Sequence, residues 1–251
     1  MLDEIILSSS TVNVPINFAG MQVIKAVSAT NFNSSIARNW DQLNAASGSA
    51  AVVKYLNPSS GVFDWTILDR FISNNLGKQI LFTLGQPADW MIPSRSALGG
   101  ANYGGKANMC PTGTIEIGNF VTAVTAIVSR LKDTYGITGV WYELWNEIEG
   151  PGMYKDVQSS LGPYAKAVSQ AIKAVDQTAV VLTPSARDDD TAYLVGNFLT
   201  FSDGGTGKAG DHVDAMAFHF YGYNQPWTYR YTVDVYKQKA IDAGYPNLPI
   251  F

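Results

Sequence analysis

Trp141-Tyr142-Glu143-Leu144-Trp145-Asn146-Glu147 is the stretch on which the fold of this 251-residue chain turns. Its aromatic and apolar residues predict a buried β-strand over 139–145, and the Asn-Glu pair at its end puts a carboxylate at the lip of a parallel sheet. In a barrel of parallel strands that lip is the face on which active sites are built. Working outward, further apolar runs of strand length fall at 18–25, 36–40, 79–84, 179–183, 213–220 and from 248 onward.

Segments of helical period separate these runs. Ile117, Phe120, Val121, Val124, Ile127, Val128 and Leu131 form one apolar stripe, and Leu161, Tyr164, Ala165, Val168, Ala171, Ile172 and Val175 form a second. Pro163 suits the first turn of the second helix, and Gly136 follows the first where the chain must reverse. Shorter helices are expected at 65–75, 191–201 and 233–243, whereas the link between the first two strands is too short for a full helix. Strands alternating with helices predict an α/β protein of the (β/α)8 TIM-barrel type. A single domain over 1–251 is expected, incomplete at the C-terminal end, with strands one to six and the start of strand seven.

The composition agrees with one sizeable core: 46% of residues are apolar and 12% aromatic. With 17 basic against 21 acidic residues and a net charge of −4, there is no basic cluster to neutralise a phosphate backbone, so nucleic acid is not an expected partner. The lone Cys110 excludes an internal disulfide. With only His212 and His219 besides, no Cys/His set stands at zinc-ligand spacing, and no metal or cofactor is expected. The first residues lack the basic start and apolar run of a secretory signal, and no stretch approaches the roughly 18 apolar residues of a membrane span. Six Trp and thirteen Tyr supply flat rings of the kind that stack on sugar faces.

From 85 to 113 the chain is rich in Gly, Ala, Asn and Tyr and follows the third strand, so it is expected to wall a substrate cleft at the barrel's mouth. A glycine-rich flap without ligand contacts is the alternative.

Several motifs together resemble the clan A retaining glycoside hydrolases, and most closely glycoside hydrolase family 39, the β-xylosidase and α-iduronidase family with related exopolysaccharide hydrolases. They are Arg38-Asn39-Trp40-Asp41, Gly61-Val62-Phe63-Asp64-Trp65, Leu84-Gly85-Gln86-Pro87-Ala88-Asp89-Trp90, Trp145-Asn146-Glu147 and Phe218-His219-Phe220-Tyr221. The resemblance spans most of the chain. It implies a (β/α)8 barrel, a carbohydrate substrate, Glu147 as the general acid/base and Asn146 as a ligand to a sugar hydroxyl. It also implies that His219 and Tyr221 bind sugar and orient a nucleophile. The nucleophilic Glu of the family ends strand seven, which places it just beyond Phe251.

Such a pair answers a chemical need. Cleaving a glycosidic bond requires a proton on the leaving oxygen, so one carboxyl must stay protonated near neutral pH, and burial or a neighbouring negative charge achieves that. In a retaining enzyme a second carboxylate about 5 Å away attacks the sugar; an inverting enzyme separates the two by roughly 6.5–9.5 Å. Glu143 and Glu149 compete with Glu147. Glu143 lies four residues back on the same strand, roughly 13 Å deeper at about 3.3 Å per residue, so it is expected within the barrel, and a buried Glu needs a partner, for which Arg38 is expected. Glu149 sits in a loop beside Gly150-Pro151-Gly152 as a solvated carboxylate. His219 and Tyr221 alternate along one strand and so share a face, although a core imidazole bonded to backbone would look the same in sequence. Trp90 is either a stacking platform or packing under the long loop, and Trp40 and Asp41 are weaker sugar contacts. Asp188-Asp189-Asp190 is read as a solvated helix start rather than a cation site. Besides a retaining glycosidase, the same pattern is open to a carbohydrate-binding protein or an inactive fragment that keeps the cleft without turnover.

Overall fold

The computed structural model describes residues 20–23, 36–39, 56, 57, 59–85, 87–96, 109–148, 158–186, 192–219 and 226–251. Within them β1 (Gly20–Val23), β2 (Ile36–Asn39), β3 (Gln79–Thr83), β4 (Trp141–Glu143) and β5 (Val180–Leu182) form one five-stranded sheet in the order β1-β2-β3-β4-β5. Every neighbouring pair is parallel. Two parallel bridges carry the series on, Leu182 with Ala215 and Met216 with Ile250. The helices between are α1 (Thr66–Asn74), α2 (Gly113–Ser129), α3 (Leu161–Val175), α4 (Ala192–Thr200) and α5 (Pro226–Ala243). This is the expected (β/α)8 type of barrel, traced among the described residues as far as the first pairing of the seventh strand.

Register decides which side chains face the barrel axis. Leu81 lies opposite Trp141 and Trp141 opposite Val180, while Thr83 lies opposite Glu143 and Glu143 opposite Leu182. Because side chains alternate along a strand, this set points to one side and its neighbours point to the other. Leu81, Trp141, Val180, Leu182, Ala215 and Ala217 make a small interior cluster. Ile80, Phe82, Tyr142, Val181 and Met216 instead join the larger layer between strands and helices.

The helix stripes face that layer. Phe120, Val124, Ile127, Val128 and Leu131 of the first stripe are buried, as are Leu161, Tyr164, Ala165, Val168 and Ile172 of the second. Each large apolar side chain so enclosed contributes about 1.5–3 kcal/mol. After α2 the chain widens into a π-helical turn at Arg130–Thr134 and reverses at Gly136, whose φ of 66° is open to glycine at no steric cost.

Several elements differ from expectation. The strand expected over 139–145 ends at Glu143, since Leu144 donates to Leu182 and the chain then turns. The strand expected over 213–220 is broken into isolated bridges among the described residues: the Ala217 amide donates to the Thr183 hydroxyl at 2.9 Å, so a side chain interrupts the ladder. The helix expected from 233 starts at Pro226, where a proline fits the first turn despite the aromatic residues that follow. Part of the 85–113 loop is ordered as a 3₁₀ turn, Asp89–Met91. The link between β1 and β2 lies outside the described residues.

A structural hub not anticipated from sequence follows α4. The Asp203 carboxylate meets His212 Nε2 and Lys166 Nζ, each at 3.0 Å, and accepts from the Gly205 and Gly207 amides at 2.7 and 3.2 Å. His212, Lys166 and Gly205 together hold this carboxyl well below the usual carboxylate range. The hairpin it anchors lies on α3: a Cβ at Gly162 would fall inside the van der Waals surface of the Ser202 carbonyl oxygen. Alanine for glycine inside a helix ordinarily stabilises by about 0.5–1 kcal/mol. At Gly162 the sign reverses, and Gly162→Ala is expected to cost about 1–3 kcal/mol through forced separation of α3 from the hairpin, read as a lower urea midpoint.

Candidate active site

The site begins inside the barrel with Glu143, which is 2% exposed. Its strand neighbour Thr83 donates its hydroxyl to Oε2 at 2.5 Å, and His219 Nε2 lies 3.4 Å from Oε1. The far side of the same imidazole, Nδ1, lies 3.1 Å from Oε1 of Glu147. One ring therefore spans the two carboxylates. This corrects the expected depth difference: the strand does not continue in extended form to Glu147, so the two side chains converge instead of standing a strand's length apart. Thr83 and His219 were not foreseen as partners of Glu143; the side chain of Arg38 lies outside the described residues.

Glu147 itself is 7% exposed and has φ 47°, which among the described residues makes it the only non-glycine with positive φ. Such a conformation costs on the order of 1–3 kcal/mol and persists only when the surroundings impose it. Ser185 imposes it from both sides: its hydroxyl accepts from the Glu147 amide at 3.3 Å, its carbonyl accepts from Ile148 at 3.2 Å, and its own amide donates to Trp145 O at 2.9 Å. Below, the Tyr164 hydroxyl donates to Leu144 O at 2.9 Å, and its ring meets the Trp145 indole edge-on at 5.8 Å. Gly85, with φ 104°, lets β3 pass close to that indole, since a Cβ there would come within 2.9 Å of it. The small polar residues Thr83 and Ser185 carried no sequence signal, because either reads equally well as an ordinary strand end.

Asn146 is buried at 3% exposure beside Glu147. His219 is anchored by its amide, which donates to Ala186 O at 2.8 Å. Trp90 sits in the 3₁₀ turn, half-buried against the core, with its indole N–H donating to Asn57 O at 2.8 Å. Trp40, Asp41, Tyr221, Glu149 and Asp188-Asp189-Asp190 lie outside the described residues. No three His, Cys, Asp or Glu side chains among the described residues could hold a metal, and no described helix is long and apolar enough to cross a membrane. A groove of about 730 Å³ opens elsewhere, on the outer helical face between α2 and α3, lined by Ile117, Val121, Pro163, Ala167 and Ala171.

The loop bearing Trp90 is clamped to the start of α2. Glu116, buried at 3% exposure, receives Arg95 at 2.7 and 3.1 Å, Ser94 at 3.1 Å and the Thr112 amide at 2.9 Å, and Arg95 also donates to Cys110 O. Asn119 adds a bond to Met91 O at 3.2 Å. Burial works to raise the Glu116 carboxyl, but Arg95 and the Thr112 amide outweigh it and hold the group below its ordinary value.

The fold is that of a glycoside hydrolase domain of clan A. The model for Cellulase (glycosyl hydrolase family 5) matches residues 99–248, and the chain belongs to that family. Solved structures with the same fold include a monomeric β-xylosidase from Caulobacter crescentus CB15, at TM-score 0.67 and 19% identity over 92% of this chain and 50% of that one. A GH39 β-xylosidase from Caulobacter crescentus has TM-score 0.62 and 19% identity over 93% of this chain and 52% of that one. Native xylanase 10B from Thermotoga maritima has TM-score 0.53 and 14% identity over 86% and 60%. The chain thus spans about half the length of the two β-xylosidases. No curated protein matches it.

Because the Glu116 carboxyl is held below its ordinary 4.5, its contribution to stability is complete above that pH and is lost as the pH falls through the lowered value. Glu116→Gln is expected to cost about 1–3 kcal/mol at pH 7, since it leaves Arg95 without its charge partner. Urea melts of both proteins from pH 7 to pH 3 should show the gap closing only at the acid end.

Proposed function

We propose that this protein hydrolyses O-glycosidic bonds of a polysaccharide or oligosaccharide by a retaining double displacement, with Glu147 as general acid/base. The observation that carries the reading is Glu147 itself: a nearly buried carboxyl in a left-handed backbone conformation, beside Asn146 at the sheet's C-terminal edge. Strain is retained at functional sites when it aims a reacting group. Burial disfavours the charged form, which suits a group that must carry a proton to the leaving oxygen.

In the first half-reaction Glu147 protonates the glycosidic oxygen as a second carboxylate attacks the anomeric carbon. In the second, Glu147 takes a proton from the water that releases the sugar. The attacking Glu belongs to the strand that Leu248–Phe251 opens. That segment already pairs beside His219's strand, with Met216 donating to Pro249 O and Phe251 donating to Met216 O, each at 2.8 Å. Asn146 and His219, beside Glu147, are sugar ligands in this reading, and Tyr221, Trp90, Trp40 and Asp41 are further candidate sugar contacts. A β-xylosidic linkage is the first to test, because a β-xylosidase and a xylanase share the fold; exopolysaccharide linkages come next.

The test is hydrolysis of aryl β-glycosides and polysaccharides by this chain, by a version continued through strands seven and eight of the parent, and by the Glu147→Gln form of the latter. Activity is expected in the continued version, falling about 10²–10⁴-fold with Glu147→Gln as general acid/base catalysis is lost. Activity indifferent to Glu147→Gln removes the assignment. A folded, continued protein that binds glycans without cleaving them points to a binding module instead.

A further inference from the structure

Glu143 is a buried titratable group to which the proposed reaction gives no part, and it lies across one imidazole from the group that does the work. We propose that Glu143, held by Thr83, is a positioning residue that fixes the tautomer of His219, so that Nδ1 is left as the acceptor of the acid proton of Glu147. This rests on the acid/base reading of Glu147.

The chemistry follows from donor and acceptor inventories. An ionised carboxylate can only accept, and a neutral imidazole has one N–H and one lone pair. Thr83 donates to Oε2 of Glu143 at 2.5 Å, leaving Oε1 facing His219 Nε2 at 3.4 Å. The Glu143 carboxylate at ion-pair distance favours the proton on Nε2, and a neutral ring protonated there carries its lone pair on Nδ1. Nδ1 lies 3.1 Å from Oε1 of Glu147, so beside a neutral ring with Nε2–H the proton between them is the carboxyl's: Glu147 O–H donates to Nδ1. The opposite tautomer would set a lone pair of Nε2 against the Glu143 carboxylate and offer Nδ1–H to an ionised Glu147, which favours the wrong protonation state for an acid. Second partners commonly set a histidine's tautomer in this way.

The ring has little freedom to escape this choice. The His219 amide is tied to Ala186 O at 2.8 Å, and its side chain is 14% exposed. Thr83 and Glu143 are register partners on adjoining strands, so their contact is set by the sheet and not by a loop. The titratable groups against the imidazole among the described residues are Glu143 and Glu147, both from the β4 segment; Thr183 and Ser185 of the adjoining β5 segment bring no charge. When Glu147 gives its proton to the leaving oxygen, Nε2–H still faces Glu143 and the Nδ1 lone pair is left against the Glu147 carboxylate, which makes that carboxylate the readier to take a proton from water in the second half-reaction.

The chain has only two histidines, which makes the test direct. Histidine labelled with ¹⁵N is incorporated into the full chain, and long-range ¹H–¹⁵N correlations are recorded near pH 6.5, with His212→Asn assigning the two rings. The expected result is a protonated Nε2 and a non-protonated Nδ1 at His219. Glu147→Gln should keep that tautomer, because the new amide still donates to Nδ1. Glu143→Gln should move the ring toward Nδ1–H, since the new amide donates to Nε2, whereas Glu143→Asp should restore Nε2–H in part. An Nδ1–H ring or an imidazolium in the unmodified protein overturns the proposal, as does a tautomer unchanged by Glu143→Gln.

In the hydrolytically active protein, Glu143→Gln is also expected to shift the alkaline limb of kcat/KM to lower pH by about one unit, because Glu147 loses its proton more readily without the negative charge below. A merely structural role for Glu143 would lower activity without moving that limb. The ring measurement needs no turnover. Nε2–H in a protein that cleaves no glycan would therefore defeat the hydrolase reading alone, and Nδ1–H in an active one would defeat this inference alone.

Discussion

A carboxylate inside the barrel constrains the rest of this molecule. Glu143 stands among Leu81, Trp141, Leu182 and Ala215, where an isolated charge would cost several kcal/mol, and it must find partners without leaving the interior. Side chains of the same strand parity reach it. Thr83 does so through the β3–β4 register, and His219 through the inward alternation that it shares with Ala215 and Ala217. A one-residue slip of β4 would turn Glu143 into the helix layer and set Tyr142 against the axis, so the polar contact and the apolar pattern enforce one register.

The geometry above Glu143 follows from that anchor. With the strand ended at Glu143, the next four residues are bent over the indole of Trp145, which is wedged between Tyr164 and the bare backbone at Gly85. Ser185 then closes on both sides of Glu147 and holds it at φ 47°. The strain at one residue is offset by packing at its neighbours, and the outcome is a carboxyl aimed at His219 and not left to rotate.

The two ends of the strands serve different ends. On the side where strands lead into helices, the Arg95–Glu116 clamp secures the segment bearing Trp90 near the barrel's mouth. After α4, where helix leads back to strand, the Asp203 hub ties Lys166, His212 and two glycine amides into a rigid hairpin against α3. Chemistry at the first location and stability at the second is the division that parallel barrels make, because loops after strands can vary without disturbing the closed sheet.

Periodicity by itself determined the alternation of strands and helices, the two apolar stripes and the candidacy of Asn146-Glu147, because burial on one face leaves a repeat that is local in sequence. The resemblance of its motifs to clan A pointed to the same family group as the matching family model. Tertiary structure alone decided where β4 stops, that Glu143 and Glu147 share one imidazole, and that Thr83, Ser185 and Gly85 shape the site. Each of these depends on residues 38 to 76 positions apart being brought into register, and no local pattern records which small polar residue will meet which carboxylate. The same holds for Glu116 and Asp203, whose partners Arg95 and Lys166 look in sequence like ordinary solvated charges and in the folded chain are part-exposed donors aimed at a buried carboxylate.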